Sequence, residues 1–124
     1  MADKKITQHS LKKDKYVNAR GGSSHFIDLF CSKCNQHLVL YQKDGQGRLF
    51  RLYLDRIFEP QELSSLYLKI NNKNEMPNLK CLKCGTLIAT PMIYKPEKRL
   101  AFRLVHGSFI QKKSDGIYLP TQQT

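Results

Sequence analysis

Four cysteines in two short pairs, Cys31-Ser-Lys-Cys34 and Cys81-Leu-Lys-Cys84, are the residues of this chain best suited to chemistry. A C-x-x-C step turns tightly enough to put two thiolates on one ion, and two steps complete a tetrahedron of soft ligands. The pairs are separated by 46 residues, Asn35 to Lys80, and no cysteine is left over. The expected cofactor is one structural Zn2+ held by Cys31, Cys34, Cys81 and Cys84. An iron–sulfur cluster is the alternative that four thiolates also suit. A redox pair belongs at the start of a helix in a β-α-β setting, which neither pair has. Gly85, directly after the second pair, stands where a knuckle often needs a positive φ.

Four protein ligands close the coordination shell, whereas a catalytic zinc keeps an open position. His37, three residues past Cys34, is expected beside the site or at the surface, not on the metal. His9 is expected to be solvated, and His25 and His106 to flank strands. None of these histidines is followed two residues later by Glu, so the zinc-deaminase pattern is absent. There is no H-E-x-x-H, no P-loop and no G-x-S-x-G. Asp44-Gly-Gln-Gly-Arg48 has glycine spacing that could cradle a phosphate, but it opens no helix and reads as a hairpin loop. Asp28, Asp55 and Glu59 sit among basic residues, which points to local pairing in place of acid–base work. The chain is expected not to be an enzyme.

The elements around the cysteines read mainly as β. His25–Phe30 is an apolar run leading into the first pair. Leu38–Lys43 and Arg48–Leu54 flank the glycine loop and predict a hairpin. Within the second run Arg48, Phe50, Leu52 and Leu54 form the expected core face, with Arg51 toward solvent. Pro60–Lys69 predicts one or two helical turns. After the second pair, Thr86–Thr90 and Met92–Tyr94 read as strand broken by Pro91, and Lys95–Lys98 as a turn. Leu100, Phe102 and Leu104 alternate with Ala101, Arg103 and Val105, the period of a half-buried strand. Gly107 marks a bend before Ser108–Gln111.

The chain has 124 residues, enough for one domain. Met1 to Ser24 carry six Lys or Arg and few large apolar groups, so residues 1–24 are expected to form a basic, disordered arm. Residues 25–113 form the zinc-binding domain, and residues 114–124 a polar tail in which Ile117, Tyr118 and Leu119 have the character to dock. No stretch approaches the roughly 18 apolar residues of a membrane span, and Met1-Ala-Asp-Lys-Lys-Ile6 is followed by no apolar run or small-residue cleavage site of a secretory leader. An intracellular, cytoplasmic location is expected, or a nuclear one in a eukaryotic cell, with no membrane partner.

These residues resemble the Yippee family. The resemblance rests on Cys31-x-x-Cys34-x-x-His37-Leu38, then Gly45-x-Gly47-Arg48-x-Phe50, then Cys81-x-x-Cys84. More widely the chain is similar to the β-tent folds, which include type B methionine sulfoxide reductases and the cereblon ligand-binding domain. The resemblance spans about residues 25 to 111 and implies two antiparallel sheets pinned at an apex by a four-cysteine zinc. The departures bear on activity. The reductases use a further Cys or selenocysteine near the C-terminus, and Arg99-Leu-Ala-Phe-Arg103 has none. Cereblon-like pockets use a tryptophan cage, and this chain has no Trp. Fold analogy therefore supplies no function.

A formal net charge of +11 fits polyanionic partners such as RNA or DNA. Of this, residues 1–24 supply +4 and the rest +7. Arg48, Arg51, Arg56, Lys95, Lys98, Arg99 and Arg103 are interleaved with Tyr53, Phe58, Tyr94 and Phe102, a pattern suited to phosphates and stacked bases. The first expectation is a non-catalytic zinc-binding module for nucleic acid or a ribonucleoprotein. The alternative is a protein-interaction or small-ligand module, with Tyr41, Tyr53, Tyr67 and Tyr94 lining a pocket.

Overall fold

The computed structural model describes residues 7–18 and 21–118. In chain order these form β1 (Thr7–Gln8), β2 (Ser24–Cys31), β3 (His37–Asp44), β4 (Arg51–Tyr53), β5 (Ile57–Glu59), α1 (Gln61–Ser64), α2 (Leu66–Lys69), β6 (Leu79–Lys80), β7 (Leu87–Tyr94), β8 (Arg99–Leu104), β9 (Phe109–Lys113) and β10 (Ile117–Tyr118). The fold is mainly β with minor helix. One antiparallel sheet runs β5-β3-β2-β9, a second runs β4-β8-β7-β6, and β1 pairs with β10 in a small third.

The alternation of each strand decides what it buries. Ile27, Leu29 and Cys31 of β2, with Val39 and Tyr41 of β3, join Leu52, Ile88, Ala89 and Phe102 of the second sheet in the main core. The opposite face of the first sheet is covered too. Phe26 and Leu40 form a smaller cluster there with Tyr118, and Leu11 and Phe58 pack against it. Every residue of β3 is consequently buried, polar Gln42, Lys43 and Asp44 included.

That second layer corrects the expected free arm for residues 7–18. The His9 amide bonds the Gly116 carbonyl, and Lys12 exchanges backbone hydrogen bonds with the Gln42 side chain at 2.6 and 3.0 Å. His9, expected in solvent, meets Glu59 at 2.8 Å. The physical reason is the outer face of β3: Leu40, Gln42 and Asp44 could not be buried without this segment over them. Met1 to Ile6 lie outside the described residues. At the other end Tyr118 is buried, so the tail expected from residue 114 contributes a strand as far as residue 118. Leu119 lies outside the described residues. Hydrogen exchange should show the His9 and Lys12 amides protected at levels near those of β2, whereas a free segment would exchange at once.

The predicted hairpin is also corrected. β3 pairs with β2 and β5, while β4 pairs with β8 in the other sheet. Residues 45–50 are thus a crossover between sheets, turned at Gly45 with φ 99°. Leu52 and Leu54 reach the core as expected, but Phe50 is 55% exposed because the strand begins only at Arg51. β7 continues through Pro91. Its pairing with β6 ends at Ala89, so beyond that point one edge of β7 carries no partner strand among the described residues and tolerates proline.

Candidate metal centre and arginine–tyrosine face

Two knuckles of the same backbone design bring the cysteines together. The Cys31 amide bonds the Gln36 carbonyl and the Asn35 amide returns to the Cys31 carbonyl at 2.8 Å each. The second knuckle repeats this with Cys81 to Thr86 and Gly85 to Cys81. The residue after each second cysteine is left-handed: Gly85, as expected, at φ 79°, and its counterpart Asn35 at φ 65°. Glycine and asparagine are the residues that accept this region at least cost.

The first knuckle belongs to the first sheet and the second to the other, so the four-cysteine cluster lies where the sheets meet. All four Sγ atoms lie within 4.8 Å of one another. Cys31 to Cys84 is 3.6 Å and Cys34 to Cys81 is 3.5 Å. Ligands at about 2.3 Å around one tetrahedral ion stand about 3.8 Å apart, so the donor set fits a single ion. The Lys33 amide points at Cys31 Sγ at 3.4 Å, and Thr86 Oγ1 lies 3.0 Å from Cys84 Sγ. The bonds from Thr86, its hydroxyl foremost, draw the Cys84 thiol down to about 6. Cys34 is lowered by the Gln36 amide, but desolvation and the three neighbouring sulfurs outweigh that and push it up to about 12. Without a cation, sulfurs this close cannot all ionise together. His37 is not among them: its Nε2 meets Asp28 at 2.8 Å, and its ring is edge-on to Phe30.

The basic residues separate into two groups. Arg56 and Arg99 are buried, which removes them from any interaction surface. Arg56 bonds Asp44 at 2.8 Å and clasps both oxygens of Asp14 at 2.7 and 2.9 Å. Desolvation works against the charge of Arg56, and these two carboxylates more than offset it. Arg99 pairs with Asp55 and Glu97 and lies between the rings of Tyr16 and Tyr53, 3.9 Å from each centroid. Asp28, Asp55 and Glu59 are all paired, but with His37, Arg99 and His9, which lie far from them in sequence, and not with the basic residues beside them as expected.

Arg48, Arg51, Lys95, Lys98 and Arg103 keep solvent access. Arg51 of β4 stands directly opposite Arg103 of β8, so both side chains leave the same face of the second sheet. Arg51 stacks on Tyr94 at 4.2 Å, and Tyr94 meets Tyr53 edge-on at 5.8 Å. The outer face therefore carries Arg51 and Tyr94, backed by buried Tyr53 and Arg99 and by Tyr16. Lys95 and Lys98 lie in the turn joining β7 to β8. Phe102 is core, and Phe58 belongs to the layer over the first sheet. The tyrosines named for a pocket divide as well: Tyr41 and Tyr53 line one cavity of about 260 Å³, Tyr67 lines another, and Tyr94 lines neither. Tyr16 was missed in sequence because nothing local distinguishes it from the lysines around it.

No family model, curated protein or solved structure matches this chain. Among the described residues no helix is long and apolar enough to cross a membrane.

Proposed function

We propose that the chain is a non-catalytic, zinc-pinned β module that binds nucleic acid, alone or in a ribonucleoprotein, on the outer face of its second sheet. Four thiolates spaced for one tetrahedral ion favour zinc over a cluster, whose thiolates are divided among several irons. Two sheets meeting at that site support the β-tent reading.

The observation that carries the binding proposal is Arg51 opposite Arg103. Like charges in direct cross-strand register are unfavourable. Among the described residues neither has a carboxylate partner, although Arg56 and Arg99 have two each. A phosphate between the two guanidinium groups would relieve the repulsion, and Tyr94 offers a ring beside them.

The test is the affinity of the full chain for fluorescein-labelled oligouridylate across a salt series. Log K should fall linearly with log salt, by roughly 0.7 for each phosphate neutralised. Arg51→Ala with Arg103→Ala should lower that slope by roughly 0.7, the loss of one phosphate contact, and weaken all sequences alike. An unchanged slope in the double variant would leave the affinity to the N-terminal lysines. The reading would then pass to the protein or small-ligand module, for which the cavity beside Tyr41 and Tyr53 is the candidate pocket.

A further inference from the structure

The crossover between the sheets places an aromatic ring where the fold gives it no packing role. Phe50 is 55% exposed, although its carbonyl accepts from the Leu104 amide at 3.0 Å and fixes the backbone there. A single exposed aromatic residue needs no explanation by itself. Here a cavity lies on each side of it. One, of about 260 Å³, reaches Arg51 and Tyr53; the other, of about 380 Å³, reaches Leu104, His106 and Phe109. The two share Arg48, Leu49 and Phe50 as their common wall. The exposed guanidinium of Arg48 sits 5.3 Å from the Phe50 ring centroid and has no carboxylate partner among the described residues.

We infer that the nucleic acid taken by this face is single-stranded, and that it crosses the Gly47–Arg51 segment with an unstacked base laid on Phe50. This rests on the nucleic-acid reading above and adds to it the form of the partner and the residue that selects it. A duplex keeps its bases paired and stacked inside, so it could offer Arg51 and Arg103 phosphates but nothing to Phe50. A single strand can turn a base out onto a ring while its phosphates run on to Arg48 and Arg51. Stacking of this kind tolerates any base, because every base has a π face.

The chain contains no tryptophan, so Phe50→Trp creates a unique fluorophore at the proposed contact. Its emission should be quenched by oligouridylate and much less by a duplex of equal charge. Leu68→Trp, on α2 at a site 74% exposed, should not respond to either. Phe50→Ala should weaken single-strand binding roughly 10-fold. It should leave the salt slope unchanged, because no charge is lost. Oligoglutamate of matched charge should bind more weakly and leave Phe50→Trp unquenched. Full binding of oligouridylate without quenching, or duplex affinity equal to single-strand affinity with Phe50→Ala neutral, would overturn this inference and leave the broader reading standing. No binding by the unaltered chain at low salt would overturn both.

Discussion

Cys81→Ser should abolish the cooperative fold of the domain. Cys81 is buried, its Sγ lies 3.5 Å from Cys34, and its knuckle is the second sheet's contribution to the metal site. Structural zinc sites of this type contribute apparent binding free energies of about 10–16 kcal/mol, as large as the whole stability of a small domain at about 5–15 kcal/mol. Three remaining thiolates would hold a metal more weakly and leave a hydroxyl inside a shell built for sulfur. Circular dichroism during heating should show a broad, early transition, and metal analysis should fall well below the one zinc per chain expected of the unaltered protein. Leu82→Ser, in the same knuckle but 97% exposed, should behave as the parent. Acidification should release the metal as the thiolates take up protons. A Cys81→Ser protein with unchanged thermal stability, or a parent containing iron in place of zinc, would refute the zinc assignment.

The second large effect is expected at Asp44. Arg56 is the largest side chain with no exposure at all, and Asp44 is the partner that shares its burial, at 4% against 41% for Asp14. Removing one member of a buried pair leaves the other charge uncompensated and costs about 3–5 kcal/mol. Asp44→Ala should therefore lower the midpoint of urea unfolding strongly, the more so because Gln42 and Ser24 also bond its Oδ1. Asp14→Ala should cost much less, since water screens an exposed carboxylate. Asp14 adds a pH dependence of its own. The hydrogen bonds from Arg56 hold its carboxyl far below its ordinary 3.8. A group depressed in the folded state contributes stability that is complete above its unfolded value and is lost as pH falls through and below it. The protection factor of the Tyr16 amide, which bonds Asp14 Oδ1, should accordingly fall below about pH 4, and Asp14→Ala should remove that dependence.

The cysteine cluster was the most legible part of the chain, because ligand type and spacing are properties of a few adjacent residues. The knuckle geometry followed from Gly85, and Asn35 in the same position shares its tolerance of left-handed backbone. What could not be read was pairing between distant strands. The glycine loop after β3 looks like a hairpin because nothing in residues 44–47 records that β5 will occupy the edge of β3. Burial of Arg56 and Arg99 escaped for a related reason. A lone arginine near a strand reads as surface until Asp14 and Tyr16, some forty and eighty residues away in sequence, are seen to meet them. The alternation along the second run did turn Arg51 toward solvent, and only the register with Arg103 was missing.

The interleaving of the two sheets has a consequence for how the protein is made. The chain passes from the first sheet to the second at β4, returns at β5, leaves again for β6 to β8, and comes back for β9. A nascent chain leaving the ribosome at about 5–20 residues per second therefore exposes the outer edge of β2 until β9 has emerged, some eighty residues later. The first knuckle waits for Cys81 and Cys84 before any ion can be enclosed, and β1 waits longer still for Ile117 and Tyr118. Translation halted just after β8 would yield a polypeptide that owns all four thiolates yet leaves the outer edge of β2 bare, a species for chaperones and proteases to find.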